Sequence, residues 1–225
     1  MALMRFIERL LEHPTIYAIS QAPLVNAKFA IVEPHLRRQE VRRVLDVGCG
    51  PGTNAPRFPG AEYVGIDINE RYISFARANY PGCFVQADLQ TADLSSLGRF
   101  DTILVNSFLH HVPDDAVAQI LRQLRVLLEP DATIHVLELL RPEPRSLVGV
   151  MALIDRGRYA RRLEEWRSLF EEHFDVLSLE PHRLKAGPWE LLYFRGRPKR
   201  TVPAETHPSG GARVIRGSIT ARPAP

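Results

Sequence analysis

The sequence has few cysteines and no long apolar run. Its two cysteines, Cys49 and Cys83, are too few for the disulfide framework of a small secreted domain, so we expect both to be reduced thiols. No apolar stretch approaches the ~20 residues that a membrane-spanning helix needs. Charged residues interrupt the apolar side chains of residues 3–12, which is unlike a secretory signal. Together these absences predict a cytoplasmic protein without a membrane contact.

Metal ligands and a nucleic-acid surface are lacking as well. No cluster of histidine, cysteine, aspartate and glutamate has a spacing that suits a metal, so no metal is expected. The net charge is +3, but residues 199–225 hold five basic residues and one acidic residue, which leaves −1 for the rest. We therefore expect no nucleic-acid partner. The same residues are rich in Pro, Gly, Ala and Thr without apolar periodicity, which predicts a disordered tail.

The pattern of apolar residues favours one α/β domain over residues 39–198. Strand-like runs begin near residues 41, 62, 83, 100 and 132, and amphipathic helices are predicted between them at about 69–80 and 114–128. Alternating strands and helices indicate a mostly parallel sheet with helices on both faces. Two further runs, 175–184 and 189–194, predict a closing antiparallel pair. The short stretch 53–60 has room for only one or two helical turns.

Residues 1–38 are predicted to form a helical cap. Pro14 suits the first turn of a helix, whereas Pro23 predicts a break or kink within it. Tyr17, Gln21 and Phe29 are candidates for the roof of a substrate cavity. Plain packing against the sheet is the alternative for each of the three.

The segment 44–52, Val-Leu-Asp-Val-Gly-Cys-Gly-Pro-Gly, is the most informative part of the chain. An apolar run with one acid, Asp46, leads into a loop with glycine at every second position. The glycines are Gly48, Gly50 and Gly52. They allow a tight turn and a close approach of the backbone to a ligand. About 20 residues on, a second apolar run ends in Asp67, where a carboxylate can accept hydrogen bonds from ribose hydroxyls. The pattern predicts a site for an adenosine-containing cofactor.

The spacing of the glycines argues against a dinucleotide. A dinucleotide site has the order Gly-x-Gly-x-x-Gly, and its third glycine is missing here. No Tyr-x-x-x-Lys pair follows the predicted fourth strand. A nicotinamide-dependent oxidoreductase therefore remains only an alternative.

The order of these motifs resembles that of the class I S-adenosylmethionine-dependent methyltransferases, over about residues 40–197. Asp46 and the glycine loop are similar to motif I of that family, which implies S-adenosylmethionine as the cofactor. The resemblance also implies a Rossmann-like, seven-stranded sheet with an antiparallel final strand. A backbone amide partner alone is the alternative role for Asp46.

Further cofactor contacts follow from the resemblance. It places Ile68 beside Asp67, Asp88 facing the adenine amino group, Leu89 on the adenine ring, and Asn106 under the methionine part. The alternative role for both Asp67 and Asp88 is to cap the end of a strand.

Two histidines follow the predicted fourth strand. His110 and His111 lie at the carboxyl edge, where ligands bind in open α/β sheets. Neighbouring residues point in different directions, so we expect one of them to face the cavity. The pair Leu109-His110 resembles a Leu-His pair of small-molecule O-methyltransferases, which implies a histidine general base. A structural histidine at a helix start is the alternative.

Two other side chains are candidates for acceptor contacts. Glu138 ends the predicted fifth strand at the same edge of the sheet. Arg156 lies in the region that covers the substrate in this family, where a guanidinium can hold a carboxylate or phosphate. The alternative for residues 155–166 is a solvated basic helix face with an Arg161–Glu165 pair.

The sequence thus predicts methyl transfer to a small-molecule acceptor, with oxygen preferred. A nucleic-acid amine methyltransferase would resemble Asn-Pro-Pro-Tyr after the fourth strand, whereas residues 106–109 read Asn-Ser-Phe-Leu. A cofactor-binding module without catalysis stays open as the alternative from another class.

Overall fold

The computed structural model describes residues 14–141, 159–184 and 190–199, with backbone only for 14–24. Its strands are β1 (Arg43–Val47), β2 (Glu62–Asp67), β3 (Cys83–Gln86), β4 (Phe100–Asn106), β5 (Leu128–Leu139), β6 (Phe174–Arg183) and β7 (Glu190–Pro198). Its helices, numbered within these residues, are α1 (Pro14–Leu36), α2 (Glu70–Asn79), α3 (Asp114–Leu127) and α4 (Leu163–His173). None of these helices is long and apolar enough to cross a membrane.

The strands form one seven-stranded sheet in the order β3-β2-β1-β4-β5-β7-β6. The first five strands pair in parallel, and β7 runs antiparallel to both of its neighbours. The predicted fold class is confirmed, including the antiparallel final strand. The central strands β1 and β4 are almost fully buried, as their continuous apolar sequences require.

Helices cover both faces of the sheet because successive strand residues point to opposite sides. Leu45 packs on the face covered by α3 and α4, and its neighbour Val44 packs on the face covered by α1 and α2. The predicted helices at 69–80 and 114–128 are confirmed as α2 and α3. Between β1 and β2 the chain forms a single 3-10 turn, Ala55–Arg57, as its length predicted.

Helix α1 differs from the prediction of a break at Pro23. The helix is continuous from Pro14 to Leu36. Its second half buries Phe29, Val32 and Leu36 against the sheet, and this packing outweighs the hydrogen bond lost at the proline. Residues 1–13 of the predicted helical cap, and the predicted tail beyond Lys199, lie outside the described residues.

Candidate functional site

The carboxyl ends of β1, β2 and β4 meet at one edge of the sheet. The glycine loop follows β1, Asp67 ends β2, and the turn that carries His110 follows β4. The loop contacts both of its neighbours, because the Gly50 amide donates to Asp67 and Gly48 lies against Phe108. The structure therefore brings together the glycine loop, the ribose candidate and the histidine turn.

Two glycines of the loop are required by their own surroundings. Gly48 has a φ of 70°, and a Cβ atom there would lie 2.9 Å from the Cβ of Phe108. Gly52 has a φ of 80°, and its Cβ would lie 2.9 Å from side-chain atoms of both Ala76 and Phe84. Any larger residue would combine an unfavourable backbone conformation with a clash. The loop is thus closely packed against its neighbours on these sides.

Asp67 holds the loop from the side of β2. Its Oδ2 accepts a hydrogen bond from the Gly50 amide at 2.9 Å, and its Oδ1 accepts one from the Asn69 amide at 2.8 Å. Burial raises the pKa of Asp67, although these amide hydrogen bonds oppose the rise. The next side chain, Ile68, is 62% exposed.

Asp46 is buried within β1 among polar partners. Its Oδ2 accepts hydrogen bonds from Asn54 Nδ2 at 3.0 Å and from the hydroxyl of Tyr63. Its Oδ1 is buried without a partner among the described residues. Burial raises the pKa of Asp46 to about 6, against the effect of the two hydrogen bonds. The alternative of a backbone amide as the sole partner is wrong, because the donors to Oδ2 are both side chains.

The remaining cofactor candidates differ in how much surface they offer. Asp88 is half-buried, and its Oδ1 accepts a hydrogen bond from the Gln90 amide at 2.9 Å, so one oxygen caps its own turn. Leu89 is buried in the core. Asn106 is half-buried at the end of β4, and its Oδ1 accepts a hydrogen bond from the Ser107 hydroxyl at 3.3 Å.

Glu138 of β5 organises the turn after β4. Its Oε1 accepts hydrogen bonds from the amides of Phe108 at 2.8 Å and Leu109 at 2.6 Å. Its Oε2 accepts from the His110 amide at 3.3 Å and lies 2.7 Å from His110 Nδ1. Since a carboxylate only accepts, Nδ1 carries the shared proton, and in the neutral imidazole Nε2 is then the acceptor. Burial would raise the pKa of Glu138, but attraction to His110 and these hydrogen bonds hold it below its ordinary value.

The two histidines have different surroundings, as expected of neighbours. His110 is 7% exposed and bonded to Glu138, whereas His111 is exposed, with its ring centroid 4.2 Å from that of His110. Glu138 does not lie where the predicted contact with the acceptor would place it. Its side chain is fully buried, and both of its oxygens are engaged by the turn.

Phe29 lies away from this edge of the sheet. It is buried against Phe58 and beneath the guanidinium of Arg57, and it lines a cavity of about 300 Å³. That cavity also touches Gln39 and Ala61, which precede β1 and β2, so it lies at the amino ends of the strands. This position favours the packing alternative for Phe29. Tyr17 and Gln21 fall in the part of α1 described by its backbone, and Arg156 lies outside the described residues.

The sequence interpretation of Arg161 is wrong. Arg161 is 3% exposed and forms an ion pair with Asp114 at 2.7 Å, whereas Glu165 pairs with Arg141 at 2.9 Å. The i, i+4 rule does not apply because α4 begins only at Leu163. Sequence reasoning also missed Asn54 and Tyr63, since no local pattern signals a contact with Asp46.

Comparisons with known proteins agree with the fold and the loop. Residues 44–131 match the family model of a methyltransferase domain. An uncharacterized methyltransferase of Mycobacterium tuberculosis is 37% identical over 108 residues, 46% of this chain and 53% of that protein. A ubiquinone biosynthesis O-methyltransferase of Bordetella bronchiseptica is 31% identical over 133 residues, 53% of this chain and 54% of that protein. The chain thus spans about half the length of these relatives.

A solved structure extends the likeness in fold. The plantazolicin methyltransferase BpumL, in complex with SAH, has a TM-score of 0.63 at 16% identity. The alignment covers 82% of this chain and 88% of that one. At this identity the likeness concerns the fold alone.

Proposed function

Because the chain belongs to the class I S-adenosylmethionine-dependent methyltransferases, we propose that it transfers a methyl group to an oxygen atom of a small-molecule acceptor. The observation that carries the proposal is the buried His110–Glu138 pair, which lies at the same sheet edge as the glycine loop. The glycine loop and a candidate base thus lie at one edge of the sheet, which supports the proposal. The name of the Bordetella relative, an O-methyltransferase, supports oxygen as the acceptor atom.

The residues at the glycine loop fit S-adenosylmethionine. Gly48 and Gly52 let the loop pack directly against Phe108 and Phe84, and Ile68 offers exposed apolar surface beside Asp67 for the adenosine part. The unpartnered Oδ1 of Asp46 suits a cationic group. When bound, this cofactor supplies a methyl group on a positively charged sulfur. Asp67 would hold the ribose, with Asp88, Leu89 and Asn106 as further neighbours.

Asp46 disfavours a dinucleotide. It is buried directly before the loop, and a carboxylate there would repel a pyrophosphate. Asp67 does not discriminate, because an acid at the end of the second strand also binds the ribose in dinucleotide sites. Asp46 therefore supports the sulfonium compound over the dinucleotide.

His110 is the general base in this proposal. Glu138 keeps the proton on Nδ1, so Nε2 can accept the proton of an acceptor hydroxyl as that oxygen takes the methyl group. The carboxylate then stabilises the imidazolium that forms. Such a base contributes roughly 10²–10⁴-fold, and alignment of the reacting atoms contributes on the order of 7–11 kcal/mol.

A transfer assay tests the proposal. Radiolabelled methyl transfer from S-adenosylmethionine is measured on a panel of phenols, aliphatic alcohols, carboxylates and amines. We expect labelled oxygen acceptors with the wild-type protein and a rate at least 100-fold lower with His110→Ala, at unchanged affinity for S-adenosylhomocysteine. His111→Ala, at the exposed neighbour, is the matched control and should retain most activity.

Three outcomes would each overturn a part of the proposal. Tight cofactor binding without any labelled product across the panel would support the binding module without catalysis. Full activity of His110→Ala would remove the histidine base. Labelling confined to amines would reassign the acceptor atom.

A further inference from the structure

The turn that carries His110 is bonded at both ends by buried charges. Glu138 accepts from the amides that open the turn, as described above. At the other end the guanidinium of Arg161 donates to the carbonyl of Leu109 at 3.1 Å and to that of Val112 at 2.6 Å. The amide of Tyr159 donates to the carbonyl of His110 at 3.0 Å. Residues 159–161 therefore supply donors to three carbonyls of the turn, those of Leu109, His110 and Val112.

Arg161 is itself fixed on every side. Its Nε donates to Asp114 Oδ1 at 2.7 Å, and its guanidinium carbon lies 4.6 Å from the centroid of the Trp166 ring. The backbone of Arg161 bridges to Leu140, directly beyond β5. The guanidinium group of arginine is planar and rigid. It therefore loses little conformational freedom for each hydrogen bond that it donates. It can thus hold the turn in one position.

The signs of the two charges suit the turn. Backbone amides point to the amino end of a helical turn and carbonyls to its carboxyl end, so an anion is favoured at the first and a cation at the second. Glu138 and Arg161 occupy these two places. Removing either one leaves buried backbone groups without partners, which the turn can satisfy only by shifting.

We propose that Arg161 is a positioning residue that holds the imidazole of His110 against Glu138 and so keeps Nε2 directed at the acceptor. It does not touch the reacting atoms. It acts on His110 through the carbonyls of Leu109 and Val112. The inference rests on the proposed function for its kinetic consequence, but the position and tautomer of His110 can be measured without any turnover.

The experiment compares Arg161→Met and Arg161→Lys with the wild-type protein by ¹⁵N NMR of labelled histidine. The His110 signals are assigned by their loss in His110→Gln. We expect one tautomer, protonated at Nδ1, in the wild type and a mixture of tautomers in Arg161→Met. We also expect kcat to fall by about 10–100-fold with a smaller change in the acceptor KM, since a displacement of about 1 Å can cost 10²-fold. Affinity for S-adenosylhomocysteine should stay within twofold.

Arg141→Met is the matched control. Arg141 lies beside the same segment, bonds the carbonyl of Ala160 and pairs with Glu165, but it has no bond to the turn. It should leave the His110 tautomer and kcat unchanged. Arg161→Lys should recover only part of kcat, because one ammonium cannot reach both carbonyls and the carboxylate.

Should Arg161→Met fail to fold, Asp114→Asn gives a second test. It weakens the hold on Arg161 from an exposed side chain and leaves no cavity. A mixed tautomer in that variant supports the inference. A single Nδ1–H tautomer with wild-type kcat in any folded Arg161 or Asp114 variant overturns it. If His110→Ala is fully active while the tautomer still depends on Arg161, the proposed function fails and the positioning role stands.

Discussion

The Oε2 atom of Glu138 lies 2.7 Å from Nδ1 of His110, inside the protein and between the ends of β4 and β5. The same carboxylate accepts three backbone amides of the turn that carries the histidine. One buried acid therefore determines both the path of the turn and the tautomer of the ring. This double role has consequences for activity and for stability.

Glu138→Gln should slow methyl transfer by roughly 10–100-fold without weakening cofactor binding. A glutamine amide cannot accept all four donors, and it allows the proton on Nδ1 to move to Nε2. We also expect the free energy of unfolding to fall by about 1–3 kcal/mol, because buried donors lose their partner. Steady-state kinetics and urea denaturation measure the two effects. Glu129→Gln, at a partly exposed position of β5, is the control, and equal losses in both variants would contradict this role.

Gly48→Ala should destabilise the protein more than the positive φ at this position alone would. Gly60 offers a matched control, because it has a φ of 83° and a Cβ there would meet nothing within 4 Å. Gly60→Ala should cost about 1–2 kcal/mol from the positive φ. Gly48→Ala should add about 1–3 kcal/mol from its clash with Phe108 and should abolish cofactor binding. If Gly48→Ala and Gly60→Ala change thermal stability and S-adenosylhomocysteine affinity equally, the loop is not tightly packed.

The stability of the Asp46→Asn variant, measured relative to the wild-type protein, should be greater at pH 7.5 than at pH 4.5. Burial raises the pKa of Asp46 from 3.8 to about 6, so the folded protein holds this proton more tightly than the unfolded chain does. The resulting stability is present at low pH and is lost as pH rises through that window, on the order of 2–3 kcal/mol. The D46N variant has no such loss. Urea denaturation at the two pH values gives the free energy of unfolding of the variant and of the wild type. If the difference between them does not change with pH, the raised pKa of Asp46 is contradicted.

Asp67→Ala should weaken S-adenosylhomocysteine binding by about 10–100-fold, as expected for lost hydrogen bonds to a charged group. Because Asp67 also holds the Gly50 amide, the ribose contact must be separated from the loop contact. The 2′,3′-dideoxy analogue of S-adenosylhomocysteine does this, since it has no ribose hydroxyls to lose. Calorimetric titration should show a large loss for the natural compound and a small one for the analogue. Equal losses for both compounds would assign the effect to the loop.

The sheet and the glycine loop could be predicted because their signals are local. The run ending in Asp46 and the alternate glycines show a buried strand followed by a tight turn, and the structure has both. The end of β2 at Asp67 was equally visible. Apolar periodicity likewise predicted α2 and α3 to within one or two residues.

The polar contacts that organise the site could not be predicted from the sequence. Tyr63 and Asn54 reach Asp46 only because β1 and β2 pair in one register. Arg161 is separated from Leu109 by 52 residues, and its charge gave no sign that it would be buried. Contacts of this kind depend on the folded geometry, so local patterns favoured a solvated surface instead.

The most direct test is a crystal structure of the protein with S-adenosylhomocysteine. We expect the ligand across the loop from Gly48 to Gly52, with its ribose on Asp67, its adenine against Ile68, and its sulfur on the side of the His110 turn. An empty loop at saturating ligand, or a dinucleotide retained there from the expression host, would contradict it.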